Sequence, residues 1–440
     1  MTTLDLREAV HRARVDLLRW AFLVVAGLAL TFSAVRSGAR LATAGAPFLG
    51  YYHIEAGLCT FMAVAFATAI LVVGARGWFD RAPWYVVLLS GYAAALGWAL
   101  ALALGDGLDG LTRALRPADS YLGDIADIGG DPSGYLASFT SRTAEHAEAT
   151  RGHPPGPVLL LWALHRAGVT SHLALGLLVT AVGAAAVPLV LSAVRGVCDE
   201  PAARRYLPVL ALAPYAVWVA VSLDAVVAAL GAAMVLAGVR ASDSSRSGAG
   251  AAAWAVLCGA LLGLTALLSY SAPWLGLSVL CLYFARRRPF LNLATALGAL
   301  VPVLGVDLAG FGWVEGLLAA QADHASRVGP HRSALWWSGL SLAVLLLVTG
   351  PPLVASLRKL RNTPGWPFLV GAGAAVVFAL AAGFARGGVE HAWLPFFPWL
   401  TVAAVAPERQ GGPPPPAPLL LAAVGAATAV AVEAVLTTPW

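Results

Sequence analysis

Residues 105–157 read GDGLDGLTRALRPADSYLGDIADIGGDPSGYLASFTSRTAEHAEATRGHPPGP and form the longest polar interruption of an otherwise apolar chain. The apolar run WYVVLLSGYAAALGWALALAL at 84–104 comes directly before it. A run of about 17 to 25 apolar residues is long enough to cross a membrane as a helix. The pattern therefore predicts a large loop between membrane-spanning helices. Eight of the chain's 23 acidic residues lie in this loop, at Asp106, Asp109, Asp119, Asp124, Asp127, Asp131, Glu145 and Glu148.

The composition extends this prediction to the whole chain. Its residues are 59% hydrophobic and only 12% charged, with a mean hydropathy of +0.77, whereas a soluble domain carries about 25% charged residues. The apolar runs are continuous rather than alternating, which excludes a transmembrane β-barrel. We predict an all-α, polytopic transmembrane protein of about 13 spans, near 20–36, 55–75, 84–104, 172–194, 207–222, 224–240, 251–268, 272–285, 290–310, 335–352, 366–384, 392–406 and 418–436.

The positions of the charges predict the orientation. Most of the 28 Lys and Arg residues fall in short loops of one side, which the positive-inside rule places in the cytoplasm together with the N-terminus. The net charge of +5 is thus explained without a nucleic-acid partner. Three longer segments, 105–171, 311–334 and 385–391, are then extracytoplasmic. We treat 1–440 as one domain, with two additional spans in 1–83, a catalytic core in 84–240 and C-terminal spans in 241–440, where the proline-rich stretch 411–417 is an inner connector.

The start of the long loop offers two carboxylates. Asp106 and Asp109 follow the span at 84–104 and are three residues apart, which places both on one face of a continued helix. One interpretation is that they face a cavity at the membrane surface and act as a general base or metal ligand. The other is that they only mark the end of the helix in water. Arg113 and Arg116 are able to hold a phosphate, because guanidinium forks match phosphate oxygens. Their alternative role is to pair with the loop's own aspartates.

The rest of the loop predicts surface helices and a turn. Apolar residues at helical spacing within 120–139 indicate juxtamembrane helices whose aspartates form a solvated face or a calcium site. The segment 154–168 is too short to cross and suits an interfacial helix. His146 and His153, with neighbouring glutamates, are able to bind a divalent metal, although their spacing matches no compact zinc signature. His153 precedes Pro154-Pro155 and is alternatively a residue that locks the turn.

The other two segments predicted to be extracytoplasmic, 311–334 and 385–391, carry basic residues beside aromatic ones. Such clusters suit a phosphate or pyrophosphate headgroup, and their alternative is an ordinary surface loop. Asp224 and Asp307 are lone acids near outer helix ends, and we interpret both as structural or cavity-lining. No phosphate-cradling glycine loop, G-x-S-x-G or H-E-x-x-H motif is present, so any donor must be delivered at the membrane. The residues of interest in these two segments are Glu315, Asp323, His324, Arg327, His331, Arg332, Arg386, Glu390 and His391.

A span, an aspartate, a long outer loop and then HPPGPVLLLWALHRAG at 153–168 resemble the GT-C superfamily of membrane glycosyltransferases. The likeness is to its His-Pro-Pro-Leu branch, which includes protein O-mannosyltransferases and aminoarabinose transferases, with Gly156 where that branch usually has leucine. It covers roughly 84–240. It implies transfer of a sugar from a polyprenyl-phosphate donor to an extracytoplasmic envelope glycan, lipid or protein. The Ala, Gly, Arg and Trp content suggests a GC-rich bacterium, such as an actinomycete. The chain is then expected in the plasma membrane, with its active site on the extracytoplasmic side.

The resemblance also implies roles for residues. The family's loop carboxylate, which is a base or a metal ligand, falls on Asp109, or on Asp106. The resemblance implies no certain cofactor, because metal-using and metal-free branches share this layout; a metal-using branch would imply Mg²⁺ or Mn²⁺, here at Asp109 and His153. Donor phosphate binding is expected from Arg113, Arg116, Arg327, Arg332 and Arg386, and substrate binding from His146, His153, His324, His331, Glu390 and His391.

Two other functions remain open from the sequence. A transporter or lipid flippase for envelope precursors needs charges at mid-membrane, often on broken helices. A non-catalytic scaffold for envelope assembly would tolerate neutralisation of the outer-loop acids. Membrane lipids are expected partners of the chain in each case.

Overall fold

In the computed structural model, the described residues are 3–116, 120–407 and 417–437. Asp119, residues 411–416 of the predicted connector and the C-terminal Pro439-Trp440 lie outside these ranges. The α-helices are α1 Thr3–Arg36, α2 Leu58–Ala75, α3 Trp78–Arg81, α4 Trp84–Ala103, α5 Ile125–Ile128, α6 Pro132–Phe139, α7 Glu148–Arg151, α8 Gly156–Arg166, α9 His172–Ala184, α10 Ala186–Val197, α11 Glu200–Ala211, α12 Leu223–Ala241, α13 Gly248–Leu268, α14 Pro273–Ala285, α15 Leu291–Leu308, α16 Trp313–Arg327, α17 Ala334–Thr349, α18 Pro351–Arg358, α19 Trp366–Ala381, α20 Val389–Ala392, α21 Phe397–Leu400 and α22 Pro418–Glu433.

Short 3₁₀ helices and one small sheet complete the secondary structure of these ranges. The 3₁₀ helices are Leu104–Leu111, Arg113–Leu115, Tyr121–Asp124, Thr143–Glu145, Pro214–Trp218, Leu360–Asn362 and Val402–Val405. Strands β1 Tyr51–Tyr52 and β2 Leu436–Thr437 pair antiparallel, with Tyr51 opposite Thr437. This pairing joins the segment after α1 to the end of α22, a connection that the apolar pattern does not indicate.

The prediction of an all-α membrane protein is confirmed, but the count of about 13 spans is not. Seven helices of the described ranges are long and apolar enough to cross a membrane, or eight if α17 and α18, bent by 98°, are one span. The predicted span 392–406 is broken into short helices, because Pro395 and Pro398 lack the N–H that a continuous helix requires. The seven helices are Arg7–Arg36, Leu58–Ala75, Trp84–Leu115, His172–Val197, Leu223–Ala241, Gly248–Leu268 and Leu291–Leu308.

Helix α12 lies at the centre of the bundle. In its most apolar window 72% of the residues are buried, compared with 11% for α2 and for α15, whose exposed apolar side chains suit lipid contact. Small residues allow close helix packing elsewhere in the bundle. A Cβ added at Gly259 would lie 1.9 Å from the Thr295 carbonyl oxygen, and one added at Gly298 would lie 2.2 Å from that of Val256. Because α12 is central, its first turn places Asp224 between the surrounding segments.

One end of the bundle is held by contacts among residues predicted to be cytoplasmic. Arg358 forms an ion pair with Asp16, with 2.8 Å between Nη2 and Oδ2. The buried Lys359 donates from Nζ to the carbonyl oxygens of Ala404 and Ala406, at 3.1 and 3.0 Å. These bonds connect α1, the end of α18 and the segment before residue 408.

The other end gathers the segments predicted to be extracytoplasmic. Trp337 donates from Nε1 to the Arg40 carbonyl oxygen at 3.2 Å, and Arg40 Nη1 lies 2.7 Å from His331 Nδ1. Arg332 Nη1 donates to the Arg386 carbonyl oxygen at 2.5 Å. The long loop joins them here, with the expected short helices α5, α6 and α8 and with the additional helix α7. The assignment of this end to the extracytoplasmic side stays a prediction.

Candidate functional site

The two aspartates at the start of the loop are occupied by the loop's own arginines. Asp106 accepts from Arg113 and Asp109 from Arg116, each at 2.7 Å between carboxylate oxygen and Nη1. The Asp109 side chain is 58% exposed, whereas that of Asp106 is 19% exposed. Gly107, with φ of +67°, kinks the 3₁₀ helix between them, so the expected shared helical face is not formed. These pairs correspond to the alternative role that the sequence left open for both arginines.

Asp106 has a second carboxylate near it that sequence reasoning missed. It lines a cavity with Gly110, Arg113 and Glu433, the last residue of α22. A Cβ added at Gly105 would lie only 3.0 Å from Glu433 Oε1, so the segment after α4 is closely packed against the end of α22. Arg113 therefore lies beside two acids, and its charge is balanced within the protein.

The histidine of the His-Pro-Pro-Gly turn meets the first turn of α12. His153 Nδ1 lies 2.9 Å from the Ala149 carbonyl oxygen and 3.1 Å from the Tyr121 hydroxyl, and Nε2 lies 3.8 Å from Asp224 Oδ1. A carbonyl oxygen only accepts, so the hydrogen-bond network assigns a proton to Nδ1. Nε2 is therefore the atom that exchanges a proton at this position, and Asp224 is the group that faces it.

The Asp224 carboxylate raises the proton affinity of His153. Burial lowers the pKa of His153, but the Asp224 charge at 3.8 Å and the Ala149 carbonyl outweigh burial, and the net effect raises the pKa above 6.5. Burial raises the pKa of the Tyr121 hydroxyl, and the charge of Asp224 raises it further. The result is a half-buried imidazole–carboxylate pair flanked by a neutral phenol.

His391 belongs to the same cluster. Burial lowers its pKa to about 4; the charge of Asp224 opposes this shift and that of His153 adds to it, so His391 is neutral at physiological pH. The neighbouring Glu390 is buried and accepts from the Leu49 N–H at 3.3 Å. Burial raises the pKa of Glu390 to about 7, although hydrogen bonds from its own backbone N–H and from that of Leu49 lower the pKa.

Four separate parts of the sequence build this histidine cluster, which consists of His153, Asp224, His391 and Tyr121. Pro154 and Pro155 direct the chain into α8 and fix His153 in the turn before it. Asp224 lies in the first turn of α12, where a carboxylate interacts favourably with the helix dipole. The interpretation of Asp224 as structural or cavity-lining agrees with its place in a small cavity beside Tyr121 and His153. The sequence signal for this contact is the position of Asp224 at the start of a long apolar run, where an acid needs a partner.

A group of cations lies near this cluster. Arg386 Nη1 donates to the carbonyl oxygens of Gly329 and Arg332, at 3.1 and 3.2 Å, and Arg332 donates back to the Arg386 carbonyl. Of the residues the structure describes, none places a carboxylate within 4.0 Å of either guanidinium. Burial lowers the pKa of Arg332, an effect that the charge of Glu148 opposes and that of Arg327 reinforces. We call Arg332 and Arg386 the arginine pair.

Arg327 and His324 border the arginine pair. Arg327 forms an ion pair with Asp323, with 2.5 Å between Nη2 and Oδ2, so its charge is balanced on its own helix. Burial lowers the pKa of His324, and the nearby charge of Arg386 lowers it further. Since Arg332 and Arg386 donate mainly to neutral carbonyl groups, this region keeps a positive charge available for an anion.

The structure separates His146 and His153, for which a shared metal was one of the alternatives left open by the sequence. His146 lies near Asp124, with 3.9 Å between Nδ1 and Oδ2, whereas His153 faces Asp224. Within residues 3–116, 120–407 and 417–437, the group of three potential metal ligands is Asp124, Asp127 and His146. Asp109 and His153, predicted as ligands if the enzyme uses a metal, are not in such a group.

Comparisons with known proteins give one likeness of fold. No family model matches the chain, and no curated protein matches its sequence. Among solved structures, the crystal structure of ArnT from Cupriavidus metallidurans in the apo state matches 63% of this chain with a TM-score of 0.42 and 17% sequence identity. The match covers 54% of the ArnT chain, so it spans about half of that protein's length. Part of this helical fold thus resembles ArnT, and a likeness of that extent identifies neither activity nor residues.

Proposed function

We propose that this protein is a membrane glycosyltransferase of the GT-C type, which transfers a sugar from a polyprenyl-phosphate donor to an extracytoplasmic envelope acceptor. The observation that carries the proposal is that the histidine cluster and the arginine pair lie on neighbouring parts of the chain at one end of the bundle, with Arg386 five residues before His391. The turn with His153 also carries Glu148, whose charge acts on Arg332. A proton acceptor and a site for an anionic leaving group are thus available close together.

The reaction requires both parts. The acceptor hydroxyl oxygen attacks the anomeric carbon, the bond from that carbon to the phosphate oxygen breaks, and polyprenyl phosphate leaves with the bonding electrons. The acceptor proton passes to Asp224, with His153 supporting its carboxylate. General-base assistance of this kind contributes about 10²–10⁴-fold to a rate.

The leaving group needs positive charge. Polyprenyl phosphate gains negative charge as the sugar departs, and the guanidinium groups of Arg332 and Arg386 are placed to stabilise it with charge-assisted hydrogen bonds. Both are positioned by backbone carbonyl groups, so they would need little rearrangement when the phosphate binds. His324, His331 and Glu390 lie in the same segments as the arginine pair and would shape the site.

The sequence-based assignment of the base to Asp109, or to Asp106, stays a prediction. Both carboxylates carry an arginine partner, and a base must be released from such a partner before it accepts a proton. Asp224, by contrast, has no arginine within 4.0 Å among the described residues and faces His153 Nε2 at 3.8 Å. We therefore place Asp224 first and test the three aspartates in parallel.

The decisive experiment uses the purified full-length protein in lipid nanodiscs with a panel of polyprenyl-phosphate sugars and envelope-derived acceptors. We expect release of polyprenyl phosphate with at least one sugar, and its loss in Asp224→Asn. Movement of the intact donor across a proteoliposome membrane, without release, would identify a flippase instead. Neither release nor movement, together with retained binding of other envelope proteins, would identify a scaffold. A reporter inserted after residue 130 tests the predicted extracytoplasmic location.

A further inference from the structure

A second group of polar side chains lies in the long loop, apart from the histidine cluster. Asp124 ends a 3₁₀ helix, Asp127 lies in α5, and His146 precedes α7. One ligand atom from each of the three lies within 4.8 Å of the other two. His146 and Asp124 are buried, with the histidine 1% exposed, whereas the Asp127 side chain is 38% exposed. The group is thus closed to solvent at Asp124 and His146 and open to solvent at Asp127.

The proton positions at His146 leave an unmet requirement. Its Nε2 lies 3.0 Å from the Phe139 carbonyl oxygen, which only accepts, so Nε2 carries a proton. In a neutral ring Nδ1 then presents a lone pair. This atom is buried, has no hydrogen-bond partner among the described residues, and points at Asp124 Oδ2 from 3.9 Å. Asp124 also accepts from the Ala147 N–H, at 3.1 Å to Oδ1 and 3.2 Å to Oδ2. A cation between Nδ1 and Oδ2 would satisfy the two lone pairs that face each other across the buried gap.

A metal ion fits that gap in geometry and in ligand chemistry. Zn²⁺ binds imidazole nitrogen and carboxylate oxygen at about 2.0–2.2 Å, which places two tetrahedral ligands about 3.4 Å apart. The observed 3.9 Å needs only a small closure. A metal-bound histidine commonly donates its other N–H to a backbone carbonyl, as His146 does to Phe139. An imidazole ligand favours a transition metal over Ca²⁺ or Mg²⁺.

Two neighbouring residues support the same interpretation. The Tyr135 hydroxyl is buried without a hydrogen-bond partner in the described structure. Burial raises the pKa of Tyr135, and the charges of Asp124 and Asp127 raise it further, so this hydroxyl lies near both carboxylates. Arg142 pairs with Asp127 at 3.2 Å but also with Glu145 at 2.8 Å. Arg142 would therefore keep a carboxylate partner if Asp127 turned to an ion.

We propose that Asp124, Asp127 and His146 bind one divalent transition-metal ion, of which Zn²⁺ is the best match, with water completing the coordination. The site is structural, because it joins residues 121–128 to residues 143–151 within the long loop. Arg151 donates from Nε to the His146 carbonyl oxygen at 2.6 Å, so an ordered His146 also orders the turn that leads to His153. This proposal does not depend on the sugar-transfer reaction.

Zn²⁺ binding to the full-length, tag-free protein in detergent tests the proposal. After treatment with EDTA and gel filtration, we expect the protein to take up one equivalent of Zn²⁺, measured by elemental analysis, and its Tm to rise with Zn²⁺ concentration. His146→Gln and Asp127→Asn are each expected to weaken binding by at least about 10-fold. Co²⁺ in place of Zn²⁺ would report the nitrogen ligand by its visible absorption.

His165→Gln is the matched control, because His165 lies exposed on α8 in the same loop. It should bind Zn²⁺ as the wild type does. Asp127→Asn changes a half-exposed side chain, so it keeps the test valid if His146→Gln fails to fold. The alternative occupant of the gap is a proton on Nδ1, which would form an ion pair with Asp124. In that case Zn²⁺ and EDTA would leave the Tm unchanged, or all variants would bind Zn²⁺ equally, and the proposal would be overturned.

Discussion

The two ends of the long loop contain the same residue types in opposite circumstances. At its start, Asp109 and Arg116 neutralise each other on the surface, with both side chains more than half exposed. At its end, His153 and Asp224 come from distant parts of the chain and meet in a half-buried position. Exposed ion pairs contribute about 0–1 kcal/mol, whereas burial and a nearby charge shift proton affinities strongly. A carboxylate becomes reactive through its surroundings, so its position after a span is insufficient evidence.

The largest effect is expected at the buried end. Asp224→Asn should lower kcat for polyprenyl-phosphate release by about 10²–10⁴-fold, because the amide is no proton acceptor. The measurement is initial-rate release in nanodiscs, with gel filtration and Tm as the check on folding. Asp307→Asn is the control, since Asp307 is another acid near the end of an apolar helix. Near-normal turnover in Asp224→Asn would show that the histidine cluster does not accept the proton in the reaction.

The arginine pair should give the next largest effect. Arg332→Gln and Arg386→Gln each remove a preorganised cation, and we expect a loss of about 10²-fold in kcat/KM for the donor. Arg327→Gln is the matched control on the same segment, because its charge is already balanced by Asp323. Rates are measured over a range of donor concentrations. Equal losses in all three variants would indicate general electrostatic attraction instead of a phosphate site.

The raised pKa of Glu390 predicts that the stability of the folded protein changes with pH. Its folded pKa of about 7 lies above the usual 4.5, so the folded state holds a proton that the unfolded state has released between these values. Stability from this group therefore falls as the pH rises from about 4.5 to beyond 7. Glu390→Gln, which imitates the neutral acid, should raise the Tm at pH 8 relative to wild type by several degrees and much less at pH 5.

His153 also loses its contribution to stability as the pH rises, because its folded pKa is raised above 6.5. It is present in both proteins of the Glu390→Gln comparison, so the difference between the two curves isolates Glu390. His391, with a pKa of about 4, stays neutral over this range. A Tm difference that is the same at pH 5 and pH 8 would show that Glu390 ionises normally.

The sequence predicted the membrane class and the polar segments that meet at one end. Apolar runs reveal helices because the period and length of a span are local properties, and His153, Arg332, Arg386 and His391 were selected because they interrupt such runs. Asp224 is interpreted from the sequence as structural or cavity-lining, and no local pattern records its contact with His153, because the two residues are 71 positions apart.

Other differences have local causes that the hydropathy pattern does not weigh. The predicted span 392–406 contains enough apolar residues, but Pro395 and Pro398 deny it a continuous set of backbone hydrogen bonds. For the two loop histidines, seven residues apart, the sequence left a shared metal open as one alternative. The short helix α7 and the turn between them direct His146 towards Asp124 and His153 towards Asp224.

The smallest effect is expected at the exposed end, and it decides between the two ends of the loop. Asp109→Asn removes one partner of an exposed ion pair, so the Tm should change by no more than about 2 °C. If Asp224 is the base, release of polyprenyl phosphate in this variant stays within a few-fold of wild type. If the loop carboxylate is the base, as the family resemblance implies, the same variant loses activity while its Tm is unchanged. Asp106→Asn, measured beside it, separates the exposed carboxylate from the one that lines the cavity with Glu433.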